Sequence, residues 1–170
     1  MQGPDSSGVT EVQKKLLLFL TAIIIALVTF LILHIFGITE TGKRMEFQTI
    51  SIGAWSGHTN PAYYFIQNAN EWEDIWNQHQ RIFLPPSPPP EVDFSTMTVI
   101  AVFMGQCPTS GYEIEVKGII DTGLTTVVKV EKTYPGKELG VFPTITYPYH
   151  IIKVYKIDKY VIFHTFTRVK

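Results

Sequence analysis

The segment MTVIAVFMGQCPTSGY, residues 97–112, holds an apolar run from Val99 to Met104 that ends in a turn marked by Gly105, Pro108 and Gly111. A short run of β-branched and aromatic residues between turn formers is typical of a strand that is buried on both faces. Such a strand leaves no polar face for water. We therefore expect it at the centre of the soluble part, with the other elements packed around it.

The neighbouring segments alternate apolar and polar side chains, which is the pattern of strands with one buried face. Residues 47–52 and 112–117 both show it. Asp121-Thr122-Gly123 is a tight-turn signal, and residues 125–132 are predicted to form the next strand after it. These segments predict a hairpin beside the central strand.

Three further strands are predicted at residues 63–66, 150–155 and 160–169. Lys153 and Lys156 suggest that the second of them is partly exposed and lies near an edge of the sheet.

Residues 70–81, NEWEDIWNQHQR, predict one helix. Asn70 and Glu73 have the spacing of a capping box. The helix carries one apolar stripe, formed by Trp72, Ile75, Trp76 and His79, that should dock on the sheet. The proline-rich residues 84–90 are expected to be an extended surface connector. The sequence therefore predicts an α+β domain, mainly antiparallel sheet of about seven strands with one packed helix.

Residues 16–36, LLLFLTAIIIALVTFLILHIF, contain no charge and are long enough to span a bilayer as a helix. They divide the chain into a polar tail at 1–15, a transmembrane helix at 16–36, a juxtamembrane linker at 37–44 and a soluble domain at 45–170. The competing interpretation is a cleaved signal peptide. Its apolar core is normally shorter and ends in an Ala-x-Ala-like site, so we favour an uncleaved anchor in the lipid bilayer.

Two cations flank the apolar run on each side, so their number is a tie, and only their distance from the run indicates an orientation. Lys14 and Lys15 abut the apolar run, whereas Lys43 and Arg44 follow several residues after it, so the positive-inside rule weakly favours a domain outside the cytoplasm. Residues 45–170 carry 10 Lys and Arg against 12 Asp and Glu, scattered along the chain. No basic stripe is available for phosphates, and nucleic-acid binding is not expected.

No residue pattern predicts an enzyme or a cofactor site. Ser56 lies in GAWSG, one position late for a nucleophile elbow, and Cys107 is a lone cysteine in a turn. Glu113 and Glu115 share a strand face and could hold a cation, but any solvated strand face has this composition. A single cysteine also excludes an intramolecular disulfide and a thiolate zinc cluster. We expect a non-catalytic domain without cofactor or metal, and a hydrolase using Ser56 or Cys107 remains the weakest alternative.

Six short motifs occur in the order of a known family. They are TISxGxxSG at 49–57, EWxxxW at 71–76, VDFS at 92–95, VIAVFMG at 99–105, PTxGY at 108–112 and PYHIIKV at 148–154. In this order the chain resembles the C-terminal domain of PrcB-type protease-complex subunits. The resemblance implies a non-catalytic accessory of a secreted subtilisin-like protease complex at the cell surface, and hence an outward-facing domain.

Loop residues that the fold does not explain are the best candidates for binding a protein partner. We expect them in two loops and name Trp55, Ser56, His58, Gln106, Cys107, Thr109 and Ser110. The leading hypothesis is a single-pass membrane protein whose domain binds a secreted or cell-surface protease. The alternative is a protease inhibitor that acts through the proline-rich loop or the loop at 106–110.

Overall fold

The computed structural model describes residues 7–35, 42–136 and 140–170, and it does not describe the side chains of residues 7–10 and 34–35. The chain divides into two compact units, Met1–Thr39 and Glu40–Lys170. The described part of the first unit is a helix, and the second unit holds all the described strands.

Helix α1 spans Ser7–Ile35. Within it, Glu11–Leu33 has a mean hydropathy of 3.1 and none of its surface is buried, so by length and composition the helix could cross a membrane. A signal sequence near the N-terminus would meet the same criterion. The helix begins earlier than predicted, because residues 7–15 of the expected tail are helical, while residues 1–6 and 36 lie outside the described part.

The second unit contains eight strands and a helix among its described residues. In chain order they are β1 Lys43–Met45, β2 Phe47–Gly53, β3 Ala62–Ile66, α2 Ala69–Gln80, β4 Met97–Phe103, β5 Glu113–Asp121, β6 Thr125–Tyr134, β7 Tyr149–Tyr155 and β8 Tyr160–Val169. The last two residues of the predicted linker at 37–44 belong to β1. Residues 37–41 lie outside the described part.

The strands form two sheets of four. The first sheet has the order β1-β5-β6-β8 and the second has the order β2-β7-β4-β3. Every strand pairing is antiparallel except that of β6 with β8. The predicted α+β class and the β5–β6 hairpin are confirmed. The division into two sheets was not predicted, because alternation shows that one face of a strand is buried but not what covers it.

Strand β4 lies in the interior of the second sheet and is buried on both faces, as its apolar run predicts. Ile100 and Val102 point into a core between the two sheets. Val99, Ala101 and Phe103 point the other way, into a core beneath α2. The domain is therefore layered, with the first sheet on one face of the second sheet and α2 on the other.

Helix α2 docks through the predicted stripe, and Trp72 and Trp76 are only 3% and 5% exposed. Two indoles bury roughly 400 Å², worth about 10 kcal/mol before the entropy of ordering is counted. The predicted cap is wrong by two residues. Asn68 caps the helix, and its side chain accepts a hydrogen bond from the Glu71 amide at 2.9 Å. The backbone of Asn68 is extended, as a capping residue requires. Asn70 lies inside the helix and cannot adopt that conformation.

The proline-rich segment is fastened to α2. The indole N–H of Trp72 donates to the carbonyl of Pro90, and that of Trp76 donates to the carbonyl of Ser87, both at 2.9 Å. The Gln80 side chain accepts a hydrogen bond from the Ser87 amide at 3.1 Å. Proline lacks an amide donor, so the segment cannot join a sheet, and it is held instead through two carbonyl groups and the amide of Ser87.

The prediction that β7 lies near an edge is wrong, because β7 pairs with β2 on one side and with β4 on the other. The prediction was based on the lysines of this segment, of which Lys153 lies within β7. Its side chain is half-buried and lines a surface groove together with Glu91 and Asp93. A long lysine side chain can reach water from an interior strand, so its presence does not require an edge.

His150 on β7 ties the two sheets together. Its Nδ1 accepts a hydrogen bond from the Val116 amide of β5 at 3.0 Å. Its Nε2 lies 2.9 Å from the hydroxyl of Thr49 on β2. Because Nδ1 is an acceptor, the neutral ring carries its proton on Nε2, which donates to Thr49. Burial lowers the pKa of His150 to about 4, with Glu115 acting to raise it and Lys117 to lower it.

We predict that acid destabilises the domain between the ordinary histidine pKa and pH 4. The unfolded chain binds a proton on residue 150 below about pH 6.5, whereas the folded chain does not until about pH 4, so stability is complete at neutral pH and falls as pH falls. The loss from this residue is about 3 kcal/mol at pH 4. Urea unfolding followed by tryptophan fluorescence in detergent at several pH values measures it.

Two variants separate His150 from other titrating groups. His150→Gln keeps an acceptor and a donor but does not titrate, so it should make the pH dependence shallower, while the buried His58 and His79 keep their own contributions to it. His164→Gln, at an exposed position of β8, should leave the dependence as it is. Equal slopes for the wild-type chain and His150→Gln would contradict the assignment.

Candidate functional site

Three loops meet at one end of the two sheets. They follow β2 (residues 54–61), follow β4 (residues 104–112) and precede β7 (described residues 140–148). We call the surface that they form the loop end. It contains both loops in which the sequence placed binding residues, together with a third loop that the sequence analysis did not select.

Backbone hydrogen bonds join the three loops to one another. Cys107 and Thr146 exchange two, at 2.8 and 3.0 Å, and the Ser110 amide donates to the Phe142 carbonyl at 3.0 Å. The loop after β2 is joined to its neighbours by the Gln106 amide, which donates to Thr59 at 3.0 Å, and by a 2.8 Å bond from Tyr147 to Ala54. The loop end is thus one connected surface.

The loop end exposes large apolar side chains, and the described residues of its three loops carry no charge. Trp55, Phe142 and Ile145 are 47%, 75% and 48% exposed. None of the residues 54–61, 104–112 and 140–148 is Asp, Glu, Lys or Arg. A surface of this composition can be buried without desolvating an ion, which is how the cores of protein interfaces are composed.

Hydrogen bonds to α2 fix the backbone next to Trp55. The Gly57 amide donates to the His79 carbonyl at 2.9 Å. The ring of His58 donates from Nε2 to the Ile75 carbonyl at 3.2 Å, because a carbonyl can only accept. The Ser56 hydroxyl lies 3.0 Å from Nδ1 of His79. The loop is therefore held by buried polar contacts while Trp55 remains exposed.

The two histidines under this loop are neutral at physiological pH. Burial, together with the smaller effect of the neighbouring His58, lowers the pKa of His79 to about 4. Burial also lowers the pKa of His58. The hydrogen bond to the Ile75 carbonyl raises this pKa in part, and the positive charge of Arg81 lowers it. Aromatic rings enclose both, with Phe103 stacked on His58 at 3.8 Å and Tyr149 against His79 at 4.3 Å.

Ser56 and His79 have the separation of a nucleophile and its general base, but they face no cavity. Ser56 and His79 are each 1% exposed, and His58 is 2% exposed. Packed rings and the backbone of α2 fill the space around them. In the described part of the chain, no three His, Cys, Asp or Glu side chains converge as metal ligands would.

The loop after β4 depends on a glycine. Gly105 has a φ of +78°, and a Cβ there would lie 2.7 Å from the ring of Pro61. Only glycine combines that backbone angle with that close approach, so this residue allows the first two loops to touch. After it, Gln106 is exposed and Cys107 is 4% exposed, and burial raises the pKa of the Cys107 thiol.

The structure separates the seven predicted binding residues into two groups. Ser56, His58 and Cys107 are buried and support the loops from inside. The side chains that reach solvent at least in part are those of Trp55, Gln106, Thr109 and Ser110. The two loops do come together, as a joint surface requires.

Phe142 and Ile145 were missed by the sequence analysis. They lie in the longer loop that the sequence predicts from Tyr134 to Thr146, in which no binding residue is expected. The available signal was the absence of charge from residues 140–148, which hold large apolar side chains, since a loop that serves only as a connection is usually polar.

We predict that Gly57→Ala destabilises the domain by about 3 kcal/mol, because the new methyl group overpacks the loop against α2. Its Cβ would lie 2.0 Å from the Gln78 carbonyl oxygen and 2.6 Å from the Arg81 side chain. Thermal unfolding measures the change. Gly118→Ala is the matched control, because a Cβ there has no neighbour within 4 Å and should change stability by less than about 0.5 kcal/mol. Equal melting temperatures for the two variants would contradict the close contact.

A family model described as PrcB C-terminal matches residues 98–155. This part of the chain extends from β4 to the end of β7 and includes two of the three loops of the loop end. No curated protein and no solved structure gives a match to the chain. Over residues 98–155 the chain thus carries the PrcB C-terminal family pattern, which confirms the resemblance seen in its sequence motifs.

Proposed function

We propose that the protein is a membrane-anchored accessory subunit that binds a protein partner through the loop end, and that this partner belongs to a secreted or cell-surface, subtilisin-like protease complex. The observation that carries the proposal is the set of three exposed apolar side chains, Trp55, Phe142 and Ile145, on loops whose described residues are uncharged. The PrcB C-terminal match supports the partner class.

The composition of the loop end favours a protein partner. Aromatic side chains carry most of the energy in protein interfaces, and a central apolar group surrounded by polar atoms excludes water from the contact. Trp55 and Phe142 provide the aromatic groups, while Gln106, Thr109 and Ser110 provide hydrogen-bonding atoms on the same surface. The bonds between the loops reduce the entropy that would be lost on binding.

The domain acts without catalysis in this proposal. The two nucleophile candidates, Ser56 and Cys107, are 1% and 4% exposed, and neither lines any of the three surface grooves found among the described residues. Cys107 also has a raised pKa, which disfavours the reactive thiolate. The role is therefore to hold or stabilise a partner.

Helix α1 serves as the anchor in this proposal. Its apolar segment is long enough for the hydrocarbon core, and Lys14 and Lys15 at its N-terminal end favour a cytoplasmic N-terminus. The domain and its partner then lie outside the cytoplasm, where a secreted protease would be.

We expect site-specific photocrosslinking to capture the partner at the loop end. A benzoylphenylalanine at position 142 should crosslink one protein in membranes of the native cells, identified by mass spectrometry as a protease-complex component. The same group at position 124, an exposed apolar site in the β5–β6 turn, is the control. Adding Trp55→Ala and Ile145→Ala should weaken capture at least about fivefold, because both remove interface contacts. Equal capture from both positions, or of no protein at all, would overturn the loop end as the site.

The anchor has its own test. The full chain should stay in the membrane pellet after alkaline carbonate extraction, with its N-terminal sequence intact. A membrane-impermeant maleimide should label Leu124→Cys in intact cells, in a chain that also carries Cys107→Ser. A shortened, soluble chain would indicate a cleaved signal peptide, and labelling only after lysis would place the domain on the cytoplasmic side.

A further inference from the structure

The chain crosses from the first sheet to the second between β1 and β2. We call the gap between the edge of β2 and residues 113–116 of β5 the wedge. Strand β1 pairs with residues 119–121 of β5, and after Glu46 the chain continues as β2 at the edge of the second sheet. β1 does not reach residues 113–116 of β5, which therefore pair only with β6. The edges of β2 and of this part of β5 lie on the same side of the domain.

His150 closes the narrow end of the wedge. Its ring bonds to Thr49 on one wall and to Val116 on the other. Beyond this ring the walls separate into a groove of about 360 Å³, lined by residues 52–54 and 111–115. The groove opens at the loop end, because Ala54, Gly111 and Tyr112 line it and also belong to the loops there.

The walls of the groove offer backbone hydrogen-bonding groups. The Val116 amide points away from β6 and toward His150, so this side of β5 faces the wedge. Backbone groups of alternate residues point to the same side of a strand, so the N–H and C=O of Ile114, a residue that is 2% exposed, face the floor of the groove. No strand in the described part of the chain pairs with them. On the opposite wall, β2 pairs only with β7.

The side chains of the groove define what fits into it. Ile52 is 52% exposed, and residues 52–54 and 111–112 carry no charge. The charges that line the groove are the carboxylates of Glu113 and Glu115. Their lysine partners, Lys170 and Lys117, are each 38% exposed, and such exposed pairs exchange partners at little cost. The groove is complementary to an extended chain with apolar residues and flanking Lys or Arg.

We propose that this wedge binds an extended, basic and apolar segment of the partner protein, which adds as a strand to β5 at Ile114. Only an extended peptide offers a row of backbone donors and acceptors for two open strand edges. The inference rests on the proposed function, since the groove opens at the loop end, and it assigns to the partner a strand-forming segment beside the surface that Trp55 and Phe142 contact.

The test uses the full chain in nanodiscs and a phage library of random peptides. A selected peptide, synthesised and labelled, should protect the Ile114 amide from hydrogen exchange when bound. Methylating alternate backbone nitrogens of this peptide should weaken binding at least about tenfold, because a strand requires those donors. Selected peptides should carry Lys or Arg beside apolar residues.

Two exposed apolar positions provide the protein variants. Ile52→Lys places a positive charge among the apolar contacts, where it also repels the Lys or Arg of the peptide, and should abolish most peptide binding, whereas Leu124→Lys, in the distant β5–β6 turn, should not. Both variants should keep the wild-type melting temperature. Should Ile52→Lys unfold the chain, Ile52→Thr, with a smaller loss of affinity, replaces it.

Three outcomes would overturn the proposal: no peptide is enriched over empty nanodiscs, the selected peptides bind without protecting Ile114, or a second copy of the chain gives the protection instead. The proposed function has a separate readout in crosslinking from position 142. If that capture succeeds while the peptide test fails, the loop end stands as a binding site and only the strand addition is wrong. If both fail, the loop end is not the site.

Discussion

The burial of β4 on both faces is the constraint from which the rest of the domain follows. A strand with Val99, Ala101 and Phe103 on one side and Ile100 and Val102 on the other cannot face water on either side. One face is covered by a sheet and the other by an amphipathic helix, which gives three layers. Each layer then needs polar contacts that join it to the next, since apolar packing alone does not fix a register.

Histidines provide many of those polar contacts. His150 joins the two sheets, and His58 and His79 join α2 to the loop that carries Trp55. All three are buried and have lowered pKa values, so they act as neutral hydrogen-bonding groups. A neutral imidazole both donates and accepts, which suits a site where an amide on one element and an oxygen on another must be satisfied together. Buried histidines that suggest catalysis here have a structural role.

The surface at the ends of the strands follows from the same layering. The loops after β2 and β4 and before β7 emerge at one end, and Gly105 allows two of them to touch. The structural residues of these loops are turned inward, while Trp55, Phe142 and Ile145 are turned outward. Because the loops are bonded to one another and to α2, the exposed apolar side chains are held in place and are available to a partner.

The sequence alone determined the class of the domain and most of its elements, although not β1. The apolar run of β4, the alternation of β5, the stripe of α2 and the uncharged segment of α1 are local periodicities, and a period shows directly which side chains avoid water. The order of motifs identified the family resemblance. The tertiary structure decided which strands share a sheet, that β7 is interior, and that Ser56, His58 and Cys107 are buried while Phe142 is exposed. These properties depend on contacts between residues far apart in the chain, and no local pattern specifies which distant element will cover a given side chain.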